Sequence, residues 1–199
     1  MRSVSVAEIA RALALRPALR LQQETSSKAA VALVFRERRG DAGLELLFIH
    51  RAEHPDDPWS GQMAFPGGRY EEGDADLLAT AIRETREETG IDLAGAADPM
   101  GSLDETRAVS RMRPVDLTIT PFVFRLRSEA ELLLSDEVTS VHWIPLDDLL
   151  STRYRELMDY ALDGQRLKFP CFRVEGKTIW GLTYRMFSNL QALIEESAD

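Results

Sequence analysis

The segment from Asp74 to Gly90 restricts most tightly what this chain can fold into. Leu77, Leu78, Ala81, Ile82 and Thr85 recur at the three- and four-residue spacing of a helix with one buried side. Asp74 stands where an N-cap belongs and Gly90 where a C-cap glycine belongs, so the spacing predicts a helix over 74–89. At about 100° per residue, Glu84, Glu87 and Glu88 share a second stripe, roughly 90° round from the apolar one. Three like charges on neighbouring turns repel each other. Arg83 offsets part of that through Glu87, four residues on, and a hard divalent cation with oxygen ligands would offset much more. A solvated acidic face is the plain alternative. Against it stands Pro66-Gly67-Gly68, whose paired glycines let backbone approach an ion or phosphate closely.

Around this helix the apolar runs 29–35, 44–50, 63–65, 117–124 and 138–144 have strand length and composition. The stretch 54–61, with Pro55, Pro58 and two aspartates, predicts an exposed loop. A short helix over 146–150, a hairpin over 169–179 turning at Glu175-Gly176, and a closing helix over 182–194 complete the pattern. Near the start, Val6, Ile9, Ala10 and Leu13 predict an amphipathic helix at about 4–24. Strands and helices mix without regular βαβ alternation. The expected class is therefore α/β, a mixed sheet with helices on its faces. With 199 residues, 44% of them hydrophobic, a single domain over 1–199 is expected.

The balance of 24 Lys and Arg against 33 Asp and Glu, a net −9, argues against a nucleic-acid binder, which needs a basic face. No apolar run approaches the roughly 18–20 residues of a membrane span. The single Cys171 excludes an internal disulfide framework and suits a cytoplasmic protein with a buried, inert thiol. The first twenty residues lack the apolar block and cleavage site of a signal peptide. Being Arg-rich and acid-poor, they leave an organellar transit peptide open beside a helix of the mature protein.

From Gly68 to Ile91 the chain resembles the Nudix box: Gly, five residues, Glu, seven residues, then Arg-Glu-apolar-any-Glu-Glu-any-Gly-apolar. Gly68, Arg83, Glu84, Glu87, Glu88, Gly90 and Ile91 match it. Three features depart. Asp74 stands for the first Glu, Thr85 for an apolar residue, and eight residues instead of seven separate Asp74 from Arg83. The resemblance implies a Nudix-type α/β/α sandwich around a mixed β-sheet, and an enzyme that hydrolyses a phosphoanhydride bond in a small nucleotide. It further implies Mg²⁺ or Mn²⁺ held by Glu84, Glu87, Glu88 and the Gly68 carbonyl, with Arg83 orienting the glutamates. The general base varies within such a family. Glu137 is the first candidate, because Asp-Glu-Val before a Trp-containing strand recurs there in relatives; Asp136, Asp104 and Glu105 are the others. Candidate substrate contacts are Arg51, Arg69, Gly67 and Gly68, with Arg107, Arg111 and Arg113 as a possible clamp and Trp59 as a base-stacking surface. The first helix and the final hairpin and helix are candidate homodimer surfaces.

The flanks resemble the coenzyme A pyrophosphatase branch of that family over roughly residues 29–190. Its Gly, three residues, Phe-Pro-Gly-Gly appears as Gly61 to Gly68. Leu46-Leu47, Ile119-Thr120-Pro121-Phe122-Val123 and Ile179-Trp180-Gly181-Leu182-Thr183 are similar as well. The branch expects an Arg four residues before Gly61, where this chain has Asp57, and an Arg-Ser where it has His50-Arg51. The resemblance thus implies coenzyme A or an acyl derivative. The departures leave ADP-ribose, nucleotide sugars or (d)NTPs as the alternative, and a binding module without turnover as a third reading.

Overall fold

The structure, a computed structural model, describes residues 3–22, 25–40, 43–55, 57, 59–108, 115–162, 165–174 and 176–198. In chain order its first elements are α1 (Val6–Ala14), β1 (Ser27–Glu37), β2 (Leu44–Arg51), β3 (Met63–Ala64), β4 (Gly67–Arg69) and α2 (Leu77–Thr89). Then come α3 (Leu93–Ala96), β5 (Ala97–Ser102), β6 (Thr106–Arg107), β7 (Leu117–Leu126), β8 (Val138–Pro145) and α4 (Leu146–Leu150). The chain ends with β9 (Arg155–Leu162), β10 (Gln165–Val174), β11 (Lys177–Ile179) and α5 (Gly181–Glu196).

β1 organises the main sheet. It runs parallel to β7 and antiparallel to β2 at one end and β4 at the other. The remaining pairings are antiparallel, with β3 and β8 on β2, and β5 and β6 on β7. This is the mixed sheet flanked by helices that the sequence implied. Side chains of a strand alternate between faces, and β1 uses both. Ala29, Val31, Leu33 and Phe35 join the cluster containing Ile9 and Ala12 of α1 and Phe187 and Leu190 of α5. Ala30, Ala32 and Val34 join the other cluster, with Ala81 of α2, Ile91 and Phe124. The two alanines keep the α2 face shallow, so α2 rests close against the sheet.

At its C-terminal end α2 agrees with the sequence pattern: Gly90 caps it in the left-handed region, at φ 79°. Its start differs. The helix begins at Leu77, and Asp76, not Asp74, is the N-cap, its carboxylate accepting the Ala79 N–H at 2.8 Å. Asp74 is engaged with Arg83 instead. Thr85 is fully buried in its apolar position because its hydroxyl donates to the Ala81 carbonyl, at 2.7 Å.

The N-terminal helix is shorter than the expected 4–24, ending at Ala14. Pro17 cannot continue a helix. Beyond it the chain is laid along the β5–β6 connection. Arg16 makes two 2.7 Å contacts with Asp104, and the Leu19 and Leu21 amides donate to Asp104 and Glu105. The predicted C-terminal hairpin appears as β10 and β11, Glu175 lying outside the described residues. A third strand, β9, pairs with β10. Its charged Arg155, Glu156 and Asp159 hide the alternation that would have marked it as a strand. Cys171 is buried in β10, as expected of an inert thiol. Among the described residues no helix is long and apolar enough to cross a membrane.

The seating of α2 on small residues is testable. Ala32→Leu, at a fully buried site facing α2, should cost about 1–3 kcal/mol by overpacking. Urea unfolding measures the loss. A neutral result would mean that α2 does not depend on those alanines for its position.

Candidate active site

Arg83 is the hub of the acidic helix. Its Nε and Nη2 donate to the two oxygens of Asp74, at 2.9 and 3.0 Å. Nη1 donates to Glu84 at 2.9 Å and Glu87 at 3.0 Å, and Nη2 also reaches the Arg69 carbonyl at 3.0 Å. One planar guanidinium thus joins β4, the loop before α2 and two turns of α2 itself. Arg83 holds the Asp74 carboxyl well below the usual carboxylate range, helped by the Glu71 amide and the Thr80 hydroxyl. Asp74, placed by the sequence pattern as the N-cap of the helix, orients Arg83 instead.

Gly67 and Gly68 pass directly beneath the acidic stripe. A Cβ at Gly67, where φ is 149°, would collide with the Ala30 carbonyl and the Val31 Cα. A Cβ at Gly68 would fall on the Glu84 carboxylate. Gly67 therefore needs glycine for its pairing with β1, while a side chain at Gly68 would have to displace the Glu84 carboxylate.

The three glutamates differ sharply in environment. The Glu87 side chain is 57% exposed, that of Glu84 16% and that of Glu88 only 4%. Glu88 accepts the Gly67 N–H at 2.8 Å and meets Nη1 of Arg51 at 3.3 Å. Burial nevertheless pushes its pKa up to about 8, with Glu84 and Glu137 adding repulsion. Burial raises Glu84 as well, against the pull of Arg83. A buried carboxylate this short of positive charge, beside a second one, is an oxygen donor set suited to a hard divalent cation. Among the described residues no three carboxylates already stand in a ligand arrangement. In the structure Arg83 and Arg51 hold them.

These groups line a cavity of about 580 Å³. Glu84, Glu87, Glu88, Arg83, Gly67 and Gly68 border it, and Glu137 joins them from just before β8. Arg51, Arg69 and Trp59 border it too. Its apolar lining includes Val31, Leu117 and Ile119 of the sheet and Leu182 and Met186 of α5. Ile119 and Leu182 fall within flanking motifs already visible in the sequence, whereas Val31, Leu117 and Met186 look there like ordinary core, and only the fold brings the three segments together.

Of the three cavity arginines, Arg51 is bound to Asp57 and Glu88, and Arg83 to Asp74 and Glu84. Arg69 is exposed, and among the described residues it has no carboxylate partner. The alternative bases Asp104 and Glu105 are occupied elsewhere, anchoring the segment after α1. Arg107 pairs with Asp116 and lies off the cavity; Arg111 and Arg113 lie outside the described residues. Trp143 is half-buried beneath the Arg36 guanidinium, and Trp180 packs against Tyr160.

This arrangement of fold and acidic helix agrees with the comparisons. The NUDIX domain family matches residues 26–163. The chain belongs to that family and is a Nudix hydrolase. It is 31% identical over 146 residues to the Nudix hydrolase NudL of Yersinia pestis (strain Pestoides F), covering 73% of this chain and 70% of that one. It is 43% identical over 108 residues to an uncharacterized protein of Schizosaccharomyces pombe, a match spanning only 33% of that relative's length. Among solved structures it resembles a MutT/nudix family protein from Enterococcus faecalis, with TM-score 0.54 and 18% identity over 96% of this chain and 68% of that one. A Caenorhabditis elegans Ap4A hydrolase follows at TM-score 0.50 and 23% identity, over 62% and 83% of the respective chains. At these identities the two structures speak for the fold alone.

The burial of Glu88 sets a pH dependence. Its folded pKa, about 8, lies above the ordinary 4.5. Below about pH 4.5 both states carry the proton and stability is complete. As pH rises from there to about 8, the unfolded chain ionises while folded Glu88 still holds its proton, so stability falls. The steepest loss is roughly 1.4 kcal/mol per pH unit. In chelator, thermal unfolding between pH 5 and 9 should show this decline, and Glu88→Gln should flatten it. Identical profiles for the two proteins would rule out a strained Glu88.

Proposed function

We propose that the protein hydrolyses the phosphoanhydride bond of a nucleoside diphosphate derivative, with coenzyme A or an acyl-coenzyme A as substrate. The products would be 4′-phosphopantetheine, or its acyl form, and adenosine 3′,5′-bisphosphate. The mixed lining of the cavity carries this reading. Its charged groups suit a diphosphate. Its apolar groups suit a flexible, weakly polar arm, and the Thr183 hydroxyl in the same lining is already committed to the Met63 carbonyl, at 3.1 Å. Such apolar groups offer little to read the edge of a nucleobase.

Glu84, Glu87 and Glu88, with the Gly68 carbonyl, would hold Mg²⁺ or Mn²⁺, which supplies charge neutralisation of the diphosphate and an activated water. The protein's own groups do the rest. Arg83 fixes the directions of Glu84 and Glu87 and is itself fixed by Asp74. Glu137 faces the same space as Glu84 and Glu88 and is the nominated proton acceptor. Arg69, exposed and with no carboxylate partner among the described residues, is a cation available to a substrate phosphate. Water oxygen bonds to one phosphorus as the bridging P–O bond breaks, and the water proton passes to the base.

One observation favours a second substrate class. Asp57 is paired with Arg51, at 2.8 Å, in the loop where the coenzyme A branch carries an additional arginine. A carboxylate there favours ADP-ribose, a nucleotide sugar or a (d)NTP over the 3′-phosphorylated coenzyme.

A substrate panel with Mg²⁺ or Mn²⁺ decides between them. Coenzyme A should be cleaved fastest, with Glu88→Gln slowed at least about 100-fold and Arg69→Ala raising KM about tenfold. Preference for another diphosphate would move the protein to the second class. A folded protein inert toward every diphosphate in the presence of both metals would defeat the catalytic reading.

A further inference from the structure

Arg51, at the end of β2, stands between two carboxylates and serves them unequally. Its Nε donates to Oδ2 of Asp57 at 2.9 Å, and its Nη2 lies 2.8 Å from the same oxygen in an ion pair. Only Nη1 turns to Glu88, at a longer 3.3 Å. Asp57 is itself oriented, because its Oδ1 accepts the Trp59 amide at 2.9 Å. Yet Glu88 is the more deeply buried carboxylate, with 4% of its side chain exposed against 17% for Asp57. In a low-dielectric setting the buried partner should draw the guanidinium more strongly. The shorter contacts run the other way, toward the carboxylate that the backbone holds in place.

We propose that Asp57 is a positioning residue that keeps the rest of the Arg51 guanidinium from closing onto Glu88, leaving Glu88 open to a divalent cation. This inference rests on the reading of Glu88 as a metal ligand. It gives Asp57 a task of its own in this chain. The aspartate takes the Nε hydrogen bond, the close approach of Nη2 and part of the charge, so that Arg51 borders the carboxylates assigned to the metal without sealing one of them. Without Asp57, the guanidinium would be free to swing both edges toward Glu88 and would compete there with the cation.

The test is a double-mutant cycle on the full chain, read as Mn²⁺ affinity by calorimetry without substrate, so that turnover plays no part. Asp57→Asn is the informative change, since it removes the charge and retains an oxygen for the Trp59 amide. It should weaken Mn²⁺ binding about tenfold in the wild-type background and less than about twofold beside Arg51→Met. Asp57→Glu, which restores the charge, should recover most of the affinity. Equal losses in both backgrounds would overturn the proposal, because Asp57 would then act through its own charge or through the fold. No loss in either background would overturn it as well. Should the wild-type protein bind no Mn²⁺ at all, the metal reading itself fails and this inference falls with it. Binding in the wild type with a flat cycle removes the inference alone.

Discussion

A single guanidinium ties the functional half of the molecule together. Arg83 has five N–H donors, and the structure gives each a partner: two to Asp74, one each to Glu84 and Glu87, and one to the Arg69 carbonyl. These partners belong to the loop before α2, to α2 itself and to β4. The contacts set where β4 lies under the helix and which way two of the three glutamates point. A lysine has the charge but not the planar fork, so it could not hold Asp74 through two parallel bonds while reaching the helix carboxylates.

That hub works only because the helix lies so close to the sheet. β1 supplies Ala30, Ala32 and Val34 to the α2 face and Ala29, Val31, Leu33 and Phe35 to the opposite one. The smaller side chains at Ala30 and Ala32 let one strand serve two layers of different depth. With α2 so close, Gly68 lies under the Glu84 carboxylate, which a Cβ there would displace, and the Gly67 amide reaches Glu88. The glycines and the alanines are two parts of the same close approach.

The electrostatics follow from this packing. Glu88 is drawn into a nearly closed position, where burial raises its pKa to about 8. Glu84 and Glu137 face it with the same sign of charge, while Arg51 meets it with one long contact and is otherwise held by Asp57. A site strained in this way has a use for a cation, and the strain is supplied by the fold at large. Leu117, Ile119 and Met186 add apolar surface to the same cavity.

Much of this was legible in the chain itself. The 3.6-residue period and Gly90 marked α2 and the stripe of Glu84, Glu87 and Glu88, because helix geometry converts spacing directly into direction. The alternation of β1 was less plain, since a strand buried on both faces shows no polar beat. The short N-terminal helix, the displaced N-cap and the strand β9 depended on competing partners: Asp104 for Arg16, Arg83 for Asp74, and β10 for a charged edge. A sequence records which charges exist, and local periodicity tells which of them share a face. Which carboxylate each arginine takes, and how deeply Glu88 is buried, were decided only when segments far apart in the chain were packed together, because pairing and desolvation are properties of distance in space.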